Sequence, residues 1–165
     1  MITTTLSNPV TSVFNVAEIV HKQRAFFNTG KSKSVEFRIE QLKKLRSLIV
    51  QNEKAIIKAL HDNLKKSELE AYATEVGIVL VELDDMLKNI KSWSKKERVK
   101  TPLFHQLGTS WRYPEPYGVT YIISPWNYPF QLLIAPLIGA MGAGNTAILK
   151  PSELAGSTAD LVNKL

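Results

Sequence analysis

Tyr117-Gly118-Val119-Thr120-Tyr121-Ile122-Ile123, followed by Ser124-Pro125-Trp126-Asn127-Tyr128-Pro129, carries the reading of the fold. The first seven residues are β-branched, aromatic and apolar on both faces, the pattern of a strand buried in a parallel sheet. Two prolines then bracket a turn. Phe130–Ala143 is apolar all round, which predicts a buried helix. Pro129 suits its first turn, where no amide donor is needed, while Pro136 removes a hydrogen bond and predicts a bend or an interruption. Gly144-Asn145 is a stop signal. Thr146–Lys150 reads as a second short buried strand, Pro151-Ser152-Glu153 turns away from it, and a further helix runs from about Gly156 to Leu165. Strand–helix–strand–helix is the opening of a parallel α/β sheet. Such a sheet needs more strands, and the last helix ends without a glycine cap or polar tail. The residues are therefore expected to be the first part of a longer protein.

Upstream, three long helical patterns precede this unit. Val13–Asn28 carries Phe14, Ala17, Val20, Arg24 and Phe27 on one stripe, with Gly30 as a stop. Val35–Leu60 repeats Leu42, Leu45, Ile49, Ile56 and Leu60 near the helical period. Glu68–Trp93 does so with Leu69, Tyr72, Val76, Val79, Leu83, Met86 and Ile90, and Ser67 suits its start. These stripes read as the core of an antiparallel helical layer, and the acids between them as surface charge. Lys95–Lys100 reads as a solvated helix end. Ser110–Tyr113 looks like a short strand whose partner lies elsewhere, cut off by Pro114 and Pro116.

Composition excludes several classes. The chain has 165 residues, 44% of them hydrophobic and 22% charged, so it can build a real core and is not disordered. It has no cysteine. That excludes a disulfide scaffold, a thiolate zinc site, an iron–sulfur cluster and a cysteine nucleophile within these residues. The formal charge of +6 lies wholly in residues 1–100; residues 101–165 are neutral. The scattered positive charges lack interleaved aromatics, so they read as a solvated face, with no nucleic-acid partner expected. Met1–Leu6 shows no secretory signal, and Leu132–Ile138 is too short to span a bilayer; a cytoplasmic protein is expected.

The motifs narrow the chemistry. Gly139-Ala140-Met141-Gly142-Ala143-Gly144 has the reverse spacing of a dinucleotide fingerprint and sits at a helix end, where free amides are absent. Its glycines read as close helix–sheet contacts and a helix stop. His21, His61 and His105 lack partners at ligand spacing, so no metal is expected. The turn Ser124–Pro129 is different. It lies at the carboxyl end of a strand, where open α/β sheets place ligands. Asn127 offers an amide donor of the kind that holds a developing oxyanion. Lys150 and Glu153 lie just past the next strand, where a cation and a carboxylate can meet ribose hydroxyls. Each also has a plain structural reading, as turn residue, strand-end cation or first-turn acid. Together on consecutive strand ends they read as a site.

Pro125-Trp126-Asn127-Tyr128-Pro129, Gly142-Ala143-Gly144-Asn145-Thr146 and Leu149-Lys150-Pro151-Ser152-Glu153, in this order, resemble the aldehyde dehydrogenase superfamily. Phe37–Leu42 and the helix around Glu75–Met86 resemble its class 3 branch, which includes fatty aldehyde dehydrogenases, and the likeness runs from about Val13 to Leu165. The resemblance implies an α/β fold: an N-terminal helical layer and the start of a Rossmann-like parallel sheet. It divides the chain into a helical segment (1–100), a linker with the start of oligomerisation strands (101–116) and the opening of an NAD(P)-binding domain (117–165). It implies oxidation of aldehydes to carboxylic acids with NAD or NADP, Glu153 favouring NAD. In the family a cysteine thiolate attacks the aldehyde and a glutamate activates the hydrolytic water. Carried over by position, Asn127 is the oxyanion-stabilising asparagine. Ser124, Pro125, Trp126, Lys150, Ser152 and Glu153 belong to the cofactor cleft.

The family's cysteine and general base are absent from these residues. The chain alone is thus expected to be inactive, its parent an enzyme and a homo-oligomer acting on a small aldehyde. The alternatives are a short non-enzymatic interaction module with a basic helical surface, or a related reductase acting on acyl phosphates or acyl-CoA. The open edge beside Thr146–Lys150 and the apolar side chains Leu161 and Leu165 are expected to lack cover and to cause association.

Overall fold

The computed structural model describes residues 15–165. Val13, Phe14 and the Met1–Leu6 stretch lie outside that range. α1 (Val16–Asn28) is capped by Asn15, whose side chain accepts from the Glu18 amide. Gly30 follows in the left-handed region and starts a short 3-10 turn, Lys31–Lys33. Ser34 caps α2 (Val35–Gln51) by accepting from the Phe37 amide.

The single helix expected over Val35–Leu60 is two: α2 ends at Gln51, and α3 runs Glu53–Leu64. Asn52 separates them, its side-chain amide donating back to the Leu48 carbonyl at 2.8 Å. Such local bonds compete with the helical ladder. Ser67 caps the next pattern as expected, which comprises α4 (Glu68–Ala71), a π turn (Tyr72–Val76) and α5 (Gly77–Trp93).

Lys95–Lys100 is corrected in part, because it contains the strand β1 (Glu97–Val99), the missing partner of β2 (Ser110–Arg112). The two pair antiparallel, Arg98 opposite Trp111. A 3-10 turn, Leu103–His105, lies between them.

β3 (Val119–Ile123) and β4 (Thr146–Lys150) pair in parallel, with Val119 opposite Thr146 and Ile123 opposite Lys150. The β3 strand is not buried on both faces: Ile122 is buried, whereas Tyr121 and Ile123 are more than half exposed. α6 (Gln131–Ala143) crosses between them. It begins after Phe130, so Pro129 lies outside its first turn, and it runs through Pro136 without interruption. Gly144 ends it at φ +90°. Gly142 serves close helix–helix rather than helix–sheet packing, since an added Cβ would crowd Met86 on α5. Gly139 faces open space.

The core lies where α2, α3, α5 and α6 meet: Leu42, Ile49, Leu60, Val79, Leu83, Phe130, Leu133 and Ile138 are fully or almost fully buried. Each such side chain contributes about 1.5–3 kcal/mol of burial. Leu161 and Leu165, expected to lack cover, are each half-buried. α7 (Gly156–Lys164) seats on α3, where Asn63 Oδ1 accepts from both the Thr158 amide and hydroxyl at 2.9 Å. Among the described residues, no helix is long and apolar enough to cross a membrane.

Candidate active site

The expected turn opens where β3 ends. The Ser124 amide donates to the Lys150 carbonyl at 3.1 Å, extending the parallel pair to its carboxyl end. The Ser124 hydroxyl meets the carbonyls of Pro129 at 3.0 Å and Pro125 at 3.1 Å. Ser124 is buried, so its side chain closes the turn on itself. Pro125, Trp126, Asn127 and Tyr128 are exposed along the turn. Among the described residues the Asn127 side chain makes no hydrogen bond, leaving its amide free at the open strand end.

Lys150 closes β4 beside this turn, and its ammonium pairs with the Glu153 carboxylate three residues on. Both groups are exposed. The Glu153 carboxyl is held below the ordinary glutamate value, first by the hydrogen bond from Lys150 and then by a backbone amide. Ser152 is buried, and its hydroxyl accepts from the Leu154 amide at 3.3 Å, shaping the turn out of β4. The site residues of the sequence thus fall into two kinds. Asn127, Trp126, Lys150 and Glu153 present groups outward at the ends of adjacent strands, while the hydroxyls of Ser124 and Ser152 are committed to the backbone.

Three side chains take roles that the sequence reading does not give them: Glu75 and Lys66 behind the turn, and Asn145 at the opposite end of the strand pair. Glu75 is fully buried rather than on the surface, and its Oε2 accepts from the amides of Phe130 (2.9 Å) and Gln131 (3.2 Å). Buried Lys66 pairs with Glu75 Oε1, and its ammonium lies 4.0 Å from the Tyr128 ring centre. Asn145, buried, accepts from the Gly118 amide at 2.8 Å and fixes the start of β3. A signal for Glu75 existed: it falls three residues after Tyr72 and four before Val79, on the apolar stripe. His61, left without a role by its spacing, meets the Lys66 carbonyl through Nδ1 at 3.0 Å. Clefts of about 430 and 290 Å³ lie elsewhere, lined by Arg38 with Trp93 and Pro114, and by Phe26 with Phe37 and Met141.

The aldehyde dehydrogenase family model matches residues 4–165. The chain belongs to the aldehyde dehydrogenase family. It is 48% identical over 145 residues to a 4,4'-diaponeurosporen-aldehyde dehydrogenase of Staphylococcus aureus, covering 88% of this chain and 32% of that one. It is 42% identical to a mouse aldehyde dehydrogenase described as dimeric and NADP-preferring, covering 92% and 33%. Family 3 members are among its relatives, in keeping with the class 3 resemblance. A solved substrate-bound structure of Staphylococcus aureus AldH superposes with a TM-score of 0.88 at 46% identity, covering 90% of this chain and 32% of that chain. The α/β architecture of an aldehyde dehydrogenase is therefore present. The chain spans about a third of the length of the curated relatives it matches.

Proposed function

We propose that residues 15–165 are the leading part of an NAD(P)-dependent enzyme that oxidises aldehydes to carboxylic acids. Asn127 is its oxyanion donor. The observation that carries this is the Asn127 turn: an unengaged amide, exposed at the carboxyl end of β3, on a backbone closed by the Ser124 hydroxyl. As an aldehyde carbonyl is attacked, negative charge gathers on its oxygen, and a donor already in place stabilises that charge without rearranging. The developing alkoxide accepts from the Asn127 side-chain N–H. The attacking thiolate must come from outside these residues, which contain no cysteine.

The dinucleotide supplies the hydride acceptor. Lys150 and Glu153 fit its ribose, since a donor and an acceptor stand side by side and exposed at the end of β4. Lys150 would donate to a ribose hydroxyl and Glu153 would accept from one. The backbone of Ser124, Pro125 and Trp126 and the Ser152 turn would form the adjoining wall. The mouse relative's name gives NADP as its preference, so both nucleotides belong in the assay.

The test is NAD(P)H formation from a long-chain and an aromatic aldehyde. The complete reading frame containing this segment is expected to turn over, and the purified 165-residue chain to give none. Turnover by the short chain, or none by the complete protein with either nucleotide, contradicts the proposal.

A further inference from the structure

The turn that carries Asn127 is anchored from behind by buried charge. Glu75 stands in the π turn Tyr72–Val76 and is fully buried. Its Oε2 holds the amides of Phe130 and Gln131, which open α6 directly after the turn. Its Oε1 takes the Lys66 ammonium, and that ammonium in turn lies over the ring of Tyr128, the neighbour of Asn127. From the strand side, Ser124 holds the Pro129 carbonyl. The turn is thus held from two directions, through Ser124 and Pro129 on one side and Tyr128 and Phe130 on the other, while the Asn127 side chain stays exposed.

Glu75 caps the first amides of α6, a task that a neutral side chain can also perform and that does not require a buried ion pair. Taking two ions out of water costs several kcal/mol each, and apolar residues of similar size often serve a core as well or better. Leu83 and Leu133, both fully buried, show that this core is built mainly of such residues. Backbone strain gathers at the same place. Lys65, at φ 56°, is the one non-glycine residue with positive φ among the described residues, and it ends α3 immediately before Lys66 turns inward. Strain and π turns recur where geometry serves function.

We propose that Glu75 and Lys66 are positioning residues for Asn127. They set the distance and direction of its amide toward the substrate oxygen before reaction. Neither touches substrate, and no proton moves through them. The proposal rests on the oxyanion reading of Asn127. Its size follows from geometry: a misplacement of about 1 Å can cost roughly 10²-fold in rate.

The experiment is a double-mutant cycle in the complete enzyme, reading the single-turnover rate of NAD(P)H formation, aldehyde KM and dinucleotide Kd. Glu75→Asp keeps the charge but draws the carboxylate back from the two amides. It is expected to slow the single turnover about tenfold or more, and less than about twofold in an Asn127→Ala background, with dinucleotide Kd unchanged. Lys66→Met/Glu75→Gln removes both charges but leaves an acceptor oxygen at full reach, and is expected to lose less than Glu75→Asp. Tyr128→Leu leaves the buried pair in place and is read if Glu75→Asp does not fold. Its expected loss is about threefold, coupled to Asn127 in the same way.

Equal slowing in both backgrounds, an unchanged rate, or a greater loss in Lys66→Met/Glu75→Gln than in Glu75→Asp overturns the positioning role. A fast Asn127→Ala enzyme instead overturns the oxyanion reading beneath it. The two failures are therefore distinct.

Discussion

On the proposed function, the charge of Glu153 bears on the choice of nucleotide. Its carboxylate would repel a 2′-phosphate on the ribose, while its pairing keeps the Lys150 ammonium occupied. Removing the charge frees Lys150 to receive phosphate, so Glu153→Gln is expected to raise kcat/KM for NADP relative to NAD severalfold. The pH dependence has a definite sign. Lys150 holds the Glu153 carboxyl below the ordinary value of 4.5, so the charge and its discrimination persist at and above that value. Both are lost as pH falls through the lowered value. A comparison of NADP and NAD binding to the complete enzyme across acid pH checks this. At this scale the outward groups were legible, because Asn127, Lys150 and Glu153 follow directly on strand ends visible in the sequence. Glu75 shows in the sequence only as an acid on the apolar stripe; its role does not, because its backbone partner lies 55 residues away and an acid on a helix ordinarily faces water.

Helices and strands were legible where a single period or a proline or glycine marked them. The α6–β4 unit was legible because Gly144 cannot continue a helix easily, and the structure gives it φ +90°. An added Cβ there would also stand 2.9 Å from the Ser32 carbonyl, a backbone atom that cannot swing aside. Gly144→Ala is expected to cost about 2 kcal/mol, measurable as a lower denaturation midpoint with unchanged m-value. Asn52 shows the limit. The apolar period continues from Ile49 to Ile56 across it, so the pattern does not register the break, which depends on one side chain bonding back to Leu48. β1 was hidden for another reason. Glu97–Val99 is exposed along its length and is a strand only because Ser110–Arg112 pairs with it, a fact of tertiary structure rather than of local sequence.

At the scale of the whole molecule, the two-stranded parallel pair and the turns that leave it carry exposed apolar side chains. Tyr121, Ile123, Trp126 and Leu154 are each more than half exposed there, and among the described residues β3 and β4 pair only with each other. An open edge beside exposed apolar side chains is a template for association. The 165-residue chain by itself is therefore expected to self-associate. Light scattering coupled to size exclusion checks this, and a monodisperse monomer at tens of micromolar contradicts it. Leu161 does not add to this surface, because the α3–α7 contact covers it in part. The sequence left it open because the Asn63–Thr158 bonds join residues 95 apart.

The Asn127 amide is the centre of the proposed chemistry, and its role is measured by the rate of hydride transfer in a single turnover of the complete enzyme. Asn127→Ala is expected to slow that step by about 10²–10³, the usual loss on removing one oxyanion donor, while dinucleotide affinity stays at the wild-type value. A variant that transfers hydride at the wild-type rate, or one whose whole deficit lies in dinucleotide affinity, would contradict it.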